Sequence, residues 1–264
     1  MTSLQNDSSR VDWTVIRLLE NQAKSYPERI CLDTIEGLPW TYSEIWKEVQ
    51  RLGFGLHLEG VRAGDAVVIM TGNTVEAVQS WLAVNMAEAI EVTINTAYRG
   101  PLLIHAIKTA LAKTIIIEDR FVSELVSVAD QLPELTTVIV IGQIGHIECK
   151  NWSVLAFSDL RKEPPADWNC GARYCDVASI IYTSGTSGPA KGVMLTHAQN
   201  YLAALTAVQG LRLGASDVYY CAHPLFHMAG KFLAAEAIFL AGGKLYLDKG
   251  FVADKWLATI SQSK

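Results

Sequence analysis

The residues best suited to chemistry are gathered in one stretch, Tyr182-Thr-Ser-Gly-Thr-Ser-Gly-Pro-Ala-Lys-Gly192. Gly185, Gly188 and Gly192 lack a Cβ, so the backbone there can approach an anion closely. Successive N–H groups in such a turn form a concave nest for phosphate oxygens. Thr183, Ser184, Thr186 and Ser187 add hydroxyl donors, and Lys191 adds a compact positive charge. These are the ingredients of a polyphosphate cradle.

Two other phosphate motifs do not fit. A Walker A loop needs Gly-x4-Gly-Lys-[Ser/Thr], whereas Pro189-Ala190 separates Gly188 from Lys191. No G-x-G-x-x-G follows the preceding strand, so the dinucleotide fingerprint is absent. A flexible Gly/Ser connector is the plainer alternative. Against it, Val177, Ile180 and Ile181 read as a buried strand on one side and Val193-Met194-Leu195 as an apolar run on the other.

The elements that must hold this loop alternate between strand and helix patterns, which predicts an α/β fold with mainly parallel sheets flanked by helices. Helical spacing runs through Val11–Ser25, then Ile30 begins a strand, and Thr41-Tyr-Ser-Glu44 reads as a capping box. Strands are predicted at Ala66–Met70, Ile90–Ile94, Thr114–Glu118 and Val138–Ile141. Helices between them are predicted at Thr74–Glu88, Leu102–Leu111 and Phe121–Gln131. Residues 142–175 read as a loop-rich connection. Beyond the phosphate loop, Thr196-His-Ala-Gln199 is a second capping box before the helix Asn200–Gln209, and Val218–Cys221 is a strand. Lys231–Ala241 is a helix, Lys244–Leu247 a strand and Phe251–Ile260 a last helix. The expected division is a first α/β subdomain over 1–175 and the start of a nucleotide-binding subdomain over 176–264.

Composition narrows the classes of function. The 264 residues carry a net charge of −5, are half hydrophobic and contain no basic tract, which argues against nucleic acid as a partner. The polar start, Met1 to Arg10, has no signal-peptide character, and no stretch approaches the roughly 20 apolar residues that span a bilayer. Five cysteines stand at 31, 149, 170, 175 and 221 without Cys-x2-Cys spacing, which predicts reduced thiols in a cytoplasmic protein and no zinc site.

Thr183 to Gly192 resembles the phosphate-binding signature of the adenylate-forming enzymes, T-S-G-[ST]-[ST]-G-x-P-K-G, which acyl-CoA synthetases, luciferases and peptide-synthetase adenylation domains share. Pro189 fills the variable position and Ala190 replaces the usual proline. Trp40-Thr-Tyr-Ser-Glu-Ile45 and the stretch from Trp81 to Gly100 resemble earlier segments of that family. Two departures stand in the second, Glu88 for the usual glycine and Thr93 for the usual proline. They are expected to bear on packing, not on chemistry. Pro224-Leu-Phe-His-Met-Ala-Gly230 resembles the family landmark P-[LM]-F-H-x-x-G, whose histidine lines the acyl pocket, so the resemblance gives that role to His227. His197 and His223 are expected to be structural, and Tyr98 and Arg99 to be packing or surface residues.

The resemblance implies activation of a carboxylic acid by ATP to an acyl-adenylate, followed by transfer to coenzyme A, with Mg²⁺ accompanying the nucleotide. The wording of Asn95–Gly100 and His223–Gly230 is nearest to the crotonobetaine/carnitine-CoA ligase group and to fatty acyl-CoA ligases. The loop residues Thr183 to Gly188, Lys191 and Gly192 would hold the β- and γ-phosphates. No Y-G-x-T-E segment, which carries the family's Mg²⁺ glutamate, occurs, and no catalytic residue is assigned. The expectation is therefore the front part of a longer ligase, inactive by itself. The alternative is a shortened, non-catalytic relative that only binds nucleotide or a partner protein.

Overall fold

A computed structural model describes residues 13–35, 37–145, 147, 151–183 and 190–262. Helix α1 (Val15–Ser25) leads into strand β1 (Ile30–Thr34), the short β2 (Trp40–Thr41) and helix α2 (Tyr42–Leu58). Then come β3 (Ala66–Met70), α3 (Val75–Met86), β4 (Ile90–Thr93), α4 (Gly100–Thr109), β5 (Thr114–Glu118), α5 (Val122–Val126) and β6 (Thr137–Ile141). Strands β7 (Ser153–Ala156), β8 (Val177–Tyr182) and β9 (Gly192–Thr196) precede α6 (His197–Leu211) and β10 (Val218–Cys221). The last elements are α7 (Met228–Gly230), a π-helical stretch Lys231–Glu236, α8 (Ala237–Ala241), β11 (Lys244–Leu247) and α9 (Trp256–Gln262).

The strands form two sheets. The larger has the order β7-β6-β5-β3-β4-β8-β9 and is parallel except for the β8–β9 pair. The smaller has the order β10-β11-β1-β2 and is parallel except for β1–β2. Both draw strands from either side of residue 175. The α/β class with mainly parallel sheets is the one the alternation of patterns predicts.

The burial pattern explains the strand sequences. Ala66-Val-Val-Ile-Met70 has no polar interruption because a parallel strand with helices on both faces is buried on both. Val67 and Ile69 join one core with Leu52, Trp81 and Leu82, whereas Val68 and Met70 join another with Leu103, Ile107 and Leu125. This is the two-residue alternation of a strand. Both capping boxes form: Thr41 Oγ1 accepts from the Glu44 N–H at 3.2 Å, and Thr196 Oγ1 from the Gln199 N–H at 3.3 Å.

Three local expectations are corrected. The helix predicted over Phe121–Gln131 is α-helical only at Val122–Val126, between two 3₁₀ turns. Its valines and serines carry little intrinsic preference for a continuous helix. The loop-rich 142–175 contributes the four-residue strand β7 on the edge of the large sheet. And the helix predicted over Lys231–Ala241 begins with six residues of π-helix.

Glu88, at the family's glycine position, has φ +61°. That left-handed region is one glycine enters freely and other residues enter at a cost. Here the glutamate carboxylate accepts the Gly171 N–H at 2.8 Å and ties this turn to the segment before β8.

Candidate functional site

The phosphate-loop signature falls between the antiparallel strands β8 and β9, which pair Tyr182 with Gly192. At its foot the Thr183 N–H donates to the Lys191 carbonyl at 3.0 Å, and the Lys191 N–H lies 3.4 Å from Thr183 Oγ1 as its acceptor. Two side chains fasten this foot to α4. The Tyr182 hydroxyl donates to the Ala106 carbonyl at 2.6 Å, and a ring nitrogen of His105 meets the Ala190 carbonyl at 2.8 Å. Burial pushes the Tyr182 phenol up to about 12, so it stays a neutral donor. Lys191 is exposed and makes no ion pair among the described residues. Ser184, Gly185, Thr186, Ser187, Gly188 and Pro189 lie outside the described residues.

The second landmark, Pro224–Gly230, is a tight turn. The His227 N–H donates to the Pro224 carbonyl at 3.0 Å, and His227 Nδ1 accepts from the Ala229 N–H at 3.2 Å, capping α7. A Cβ on Gly230 would stand 2.5 Å from the Pro224 carbonyl oxygen and 2.6 Å from that of His223, so only glycine fits. Asn73, in the connection three residues beyond β3, locks the turn from outside. Its amide nitrogen donates to the His223 and Asp248 carbonyls, both at 2.9 Å, while its oxygen accepts the Leu225 N–H at 3.0 Å.

The two landmarks meet at a cavity of about 410 Å³ whose lining includes Thr183, Tyr182, Phe226, His227, Thr93 and Tyr98. Of the sequence-derived candidates, Thr183 and His227 thus both line this cavity, while Lys191 and Gly192 stand at the hairpin foot. A larger cavity of about 660 Å³, lined by Thr34, Asn73, Asp248 and Thr259 among others, takes in none of the candidates.

Behind Thr93 lies a charged group that the sequence reading missed. Lys231 and Glu91 are buried, with side-chain exposures of 1% and 0%. Lys231 Nζ donates to Glu91 Oε2 and to Thr93 Oγ1, both at 2.6 Å, and the Thr93 hydroxyl donates to Glu91 Oε2 at 2.5 Å. Burial pulls the Lys231 ammonium below its usual range, opposed by Glu91. Glu236, one π-turn along, is also buried, and burial pushes its carboxyl up to about 8. Both of its oxygens lack a hydrogen-bond partner among the described residues.

This corrects the reading of Thr93 as a packing change only. Where the resemblance leads one to expect proline, the Thr93 hydroxyl bridges a buried ion pair on the cavity wall. Tyr98, expected at the surface or in packing, also lines the cavity, whereas Arg99 pairs with Glu124 at 3.0 Å. His197 is buried, with its imidazole pulled down to about 4 by that burial. Cys31, Cys170, Cys175 and Cys221 are all free thiols, and Cys149 lies outside the described residues.

A family model described as AMP-binding enzyme matches residues 19–264. The chain belongs to this family. 4-Coumarate–CoA ligase 3 of Arabidopsis thaliana is 31% identical over 196 residues, covering 73% of this chain and 34% of the relative. 2-Succinylbenzoate–CoA ligase of Listeria innocua is 26% identical over 93% of this chain and 47% of its own length. Among solved structures, an anthranilate CoA ligase (AuaEII) in complex with anthranoyl-AMP matches with a TM-score of 0.84 and 26% identity, over 94% of this chain and 48% of that one. ATP-bound MatB from Rhodopseudomonas palustris matches with a TM-score of 0.79 and 26% identity, over 95% and 48%. The chain therefore spans about a third to a half of the length of these relatives. None of its described helices is long and apolar enough to cross a membrane.

Proposed function

We propose that this chain provides the pyrophosphate end and part of the acyl side of a site that activates a carboxylic acid with ATP. A carboxylate oxygen attacks the α-phosphorus, the bond to the leaving β-phosphate breaks, and acyl-adenylate and pyrophosphate form. The thiol of coenzyme A then displaces AMP, leaving a thioester. The observation that carries this reading is the shared cavity, which brings the hairpin residue Thr183 and the landmark residue His227 to one space. Membership of the AMP-binding family and the acyl-CoA ligase names of the relatives support it.

The division of labour follows from the residues. Thr183 to Gly188, Lys191 and Gly192 hold the β- and γ-phosphates by backbone and hydroxyl donors, with Lys191 offsetting part of the leaving charge. His227 stands on the acyl side. Mg²⁺ would arrive with the nucleotide. Among the described residues no three His, Cys, Asp or Glu side chains gather as a metal site, so no ligand to it is assigned. Four free thiols support a reducing, cytoplasmic setting.

The test is ATP titration of the chain and of Lys191→Ala. Wild type should bind ATP, and the variant should bind about tenfold more weakly, the size of one lost charge-assisted contact, at an unchanged melting temperature. Equal affinity in the folded variant would sink the phosphate role. ATP–pyrophosphate exchange then separates an active ligase segment from a relative that only binds nucleotide.

A further inference from the structure

The buried Lys231 group connects two walls of the cavity that have no covalent reason to keep their spacing. One wall is β4, which carries Glu91 and Thr93. The other is the Pro224–Gly230 turn, which carries His227. Lys231 follows that turn directly, and its backbone N–H donates to the His227 carbonyl at 3.1 Å. Its side chain crosses to β4, where Nζ reaches Glu91 Oε2 and Thr93 Oγ1. Thr93 and His227 both line the cavity, whereas Lys231 and Glu91 do not. The lysine therefore touches the site through its neighbours at both ends.

We propose that Lys231 is a positioning residue: with Glu91 and Thr93 it clamps the His227 turn to β4 and so fixes the width of the acyl side of the cavity. This rests on the acid-activating reading above. Two observations make it more than a buried ion pair. The pair ends on a hydroxyl of the cavity wall. And the clamp sits at the start of a π-helical stretch, an irregularity frequent beside functional sites. A core needs none of this for stability, since well-packed apolar residues in place of a buried ion pair are often neutral or stabilising.

That last point supplies the test. The triple variant Lys231→Met, Glu91→Leu, Thr93→Val replaces the whole group by apolar residues of similar size. It is compared with wild type by thermal melting and by titration with ATP and with the octanoyl and benzoyl sulfamoyladenosines, stable stand-ins for the acyl-adenylate. The expected result is a melting temperature near wild type, ATP affinity within twofold, and at least a tenfold loss of affinity for whichever acyl analogue wild type binds. Should the triple variant fail to fold, Thr93→Val alone keeps the Lys231–Glu91 pair and frees only the cavity-wall end. It should lose affinity for the acyl analogue about threefold and none for ATP. A folded variant that holds the acyl analogue as tightly as wild type overturns the clamp, as does an equal loss for ATP and analogue. Wild type that binds ATP but neither acyl analogue also overturns it, because the clamped wall then shapes no acyl site. If wild type binds none of the three, the nucleotide reading itself is overturned.

Discussion

Lys191 and Lys231 each hydrogen-bond to a threonine that lines the same cavity, and they do so in opposite ways. At the hairpin foot it is the backbone N–H of Lys191 that faces Thr183 Oγ1, at 3.4 Å, and the side chain stays exposed. Behind β4 it is the ammonium of Lys231 that donates to Thr93 Oγ1, at 2.6 Å, with the Glu91 carboxylate accepting a second hydrogen bond from it. A lysine that is to meet a phosphate must keep its ammonium uncommitted and hydrated until the ligand arrives. A lysine that is to hold two walls together must commit it. Exposure and partner, more than residue type, separate the two roles.

The contrast predicts unequal costs of mutation. Lys231→Met leaves the Glu91 carboxylate buried without its counter-charge, which should cost about 3–5 kcal/mol of stability. Lys191→Ala exposes nothing new and should cost none. Urea unfolding of the two variants reads the difference directly, as a shift of midpoint for one and not the other. Equal midpoints would place Lys231 in a wetter, less committed position than its geometry shows.

A smaller effect is expected where the same turn is held by neutral contacts. Asn73→Ala removes three hydrogen bonds that tie the His227 turn and Asp248 to the connection after β3. It leaves the Asp248 carbonyl and the Leu225 N–H without that partner and the His223 carbonyl with the weak Cys221 thiol donor, at a cost of about 2–3 kcal/mol. Urea unfolding should place its midpoint between those of wild type and Lys231→Met. A loss larger than that of Lys231→Met would shift the weight of the turn's support from the charged clamp to the amide.

How far the sequence shows these parts depends on how local they are. The proposed phosphate loop is written in eleven consecutive residues, and each capping box in four, so both can be read without knowing the fold. The same holds for β3 and β5, whose apolar runs match their buried length. Lys231 and Glu91 are 140 residues apart, and Asn73 and His223 are 150 apart. Only the sheet order brings them together. A lysine at the head of the apolar run Phe232–Ala241 and a glutamate beside Val92 were the available signals, since charged residues in core patterns need partners. Thr93 in place of proline was a third. Read singly, each is a tolerated exception; the fold shows that they are one group.

Glu236 offers the finest test of how charge is balanced around Lys231. Two carboxylates share its surroundings, and the comparison with Lys191 holds only if one ammonium faces one ionised carboxylate. Burial moves the Glu236 carboxyl from 4.5 up to about 8, so the folded protein keeps a proton there that the unfolded chain has released. Between those values the folded state binds more protons than the unfolded state, and stability falls as pH rises, by up to about 1.4 kcal/mol per pH unit. His197 works the other way. Its imidazole is pulled from 6.5 down to about 4, so its contribution grows with pH over that interval and partly masks the fall. Glu236→Gln carries no titrating proton and leaves His197 in place. Urea midpoints at pH 5, 6, 7 and 8 should therefore drop less steeply, or rise, in the variant, with the gap between the two proteins widening steadily with pH. Parallel pH profiles would mean that Glu236 is ionised in the fold, and that Lys231 balances two negative charges instead of one.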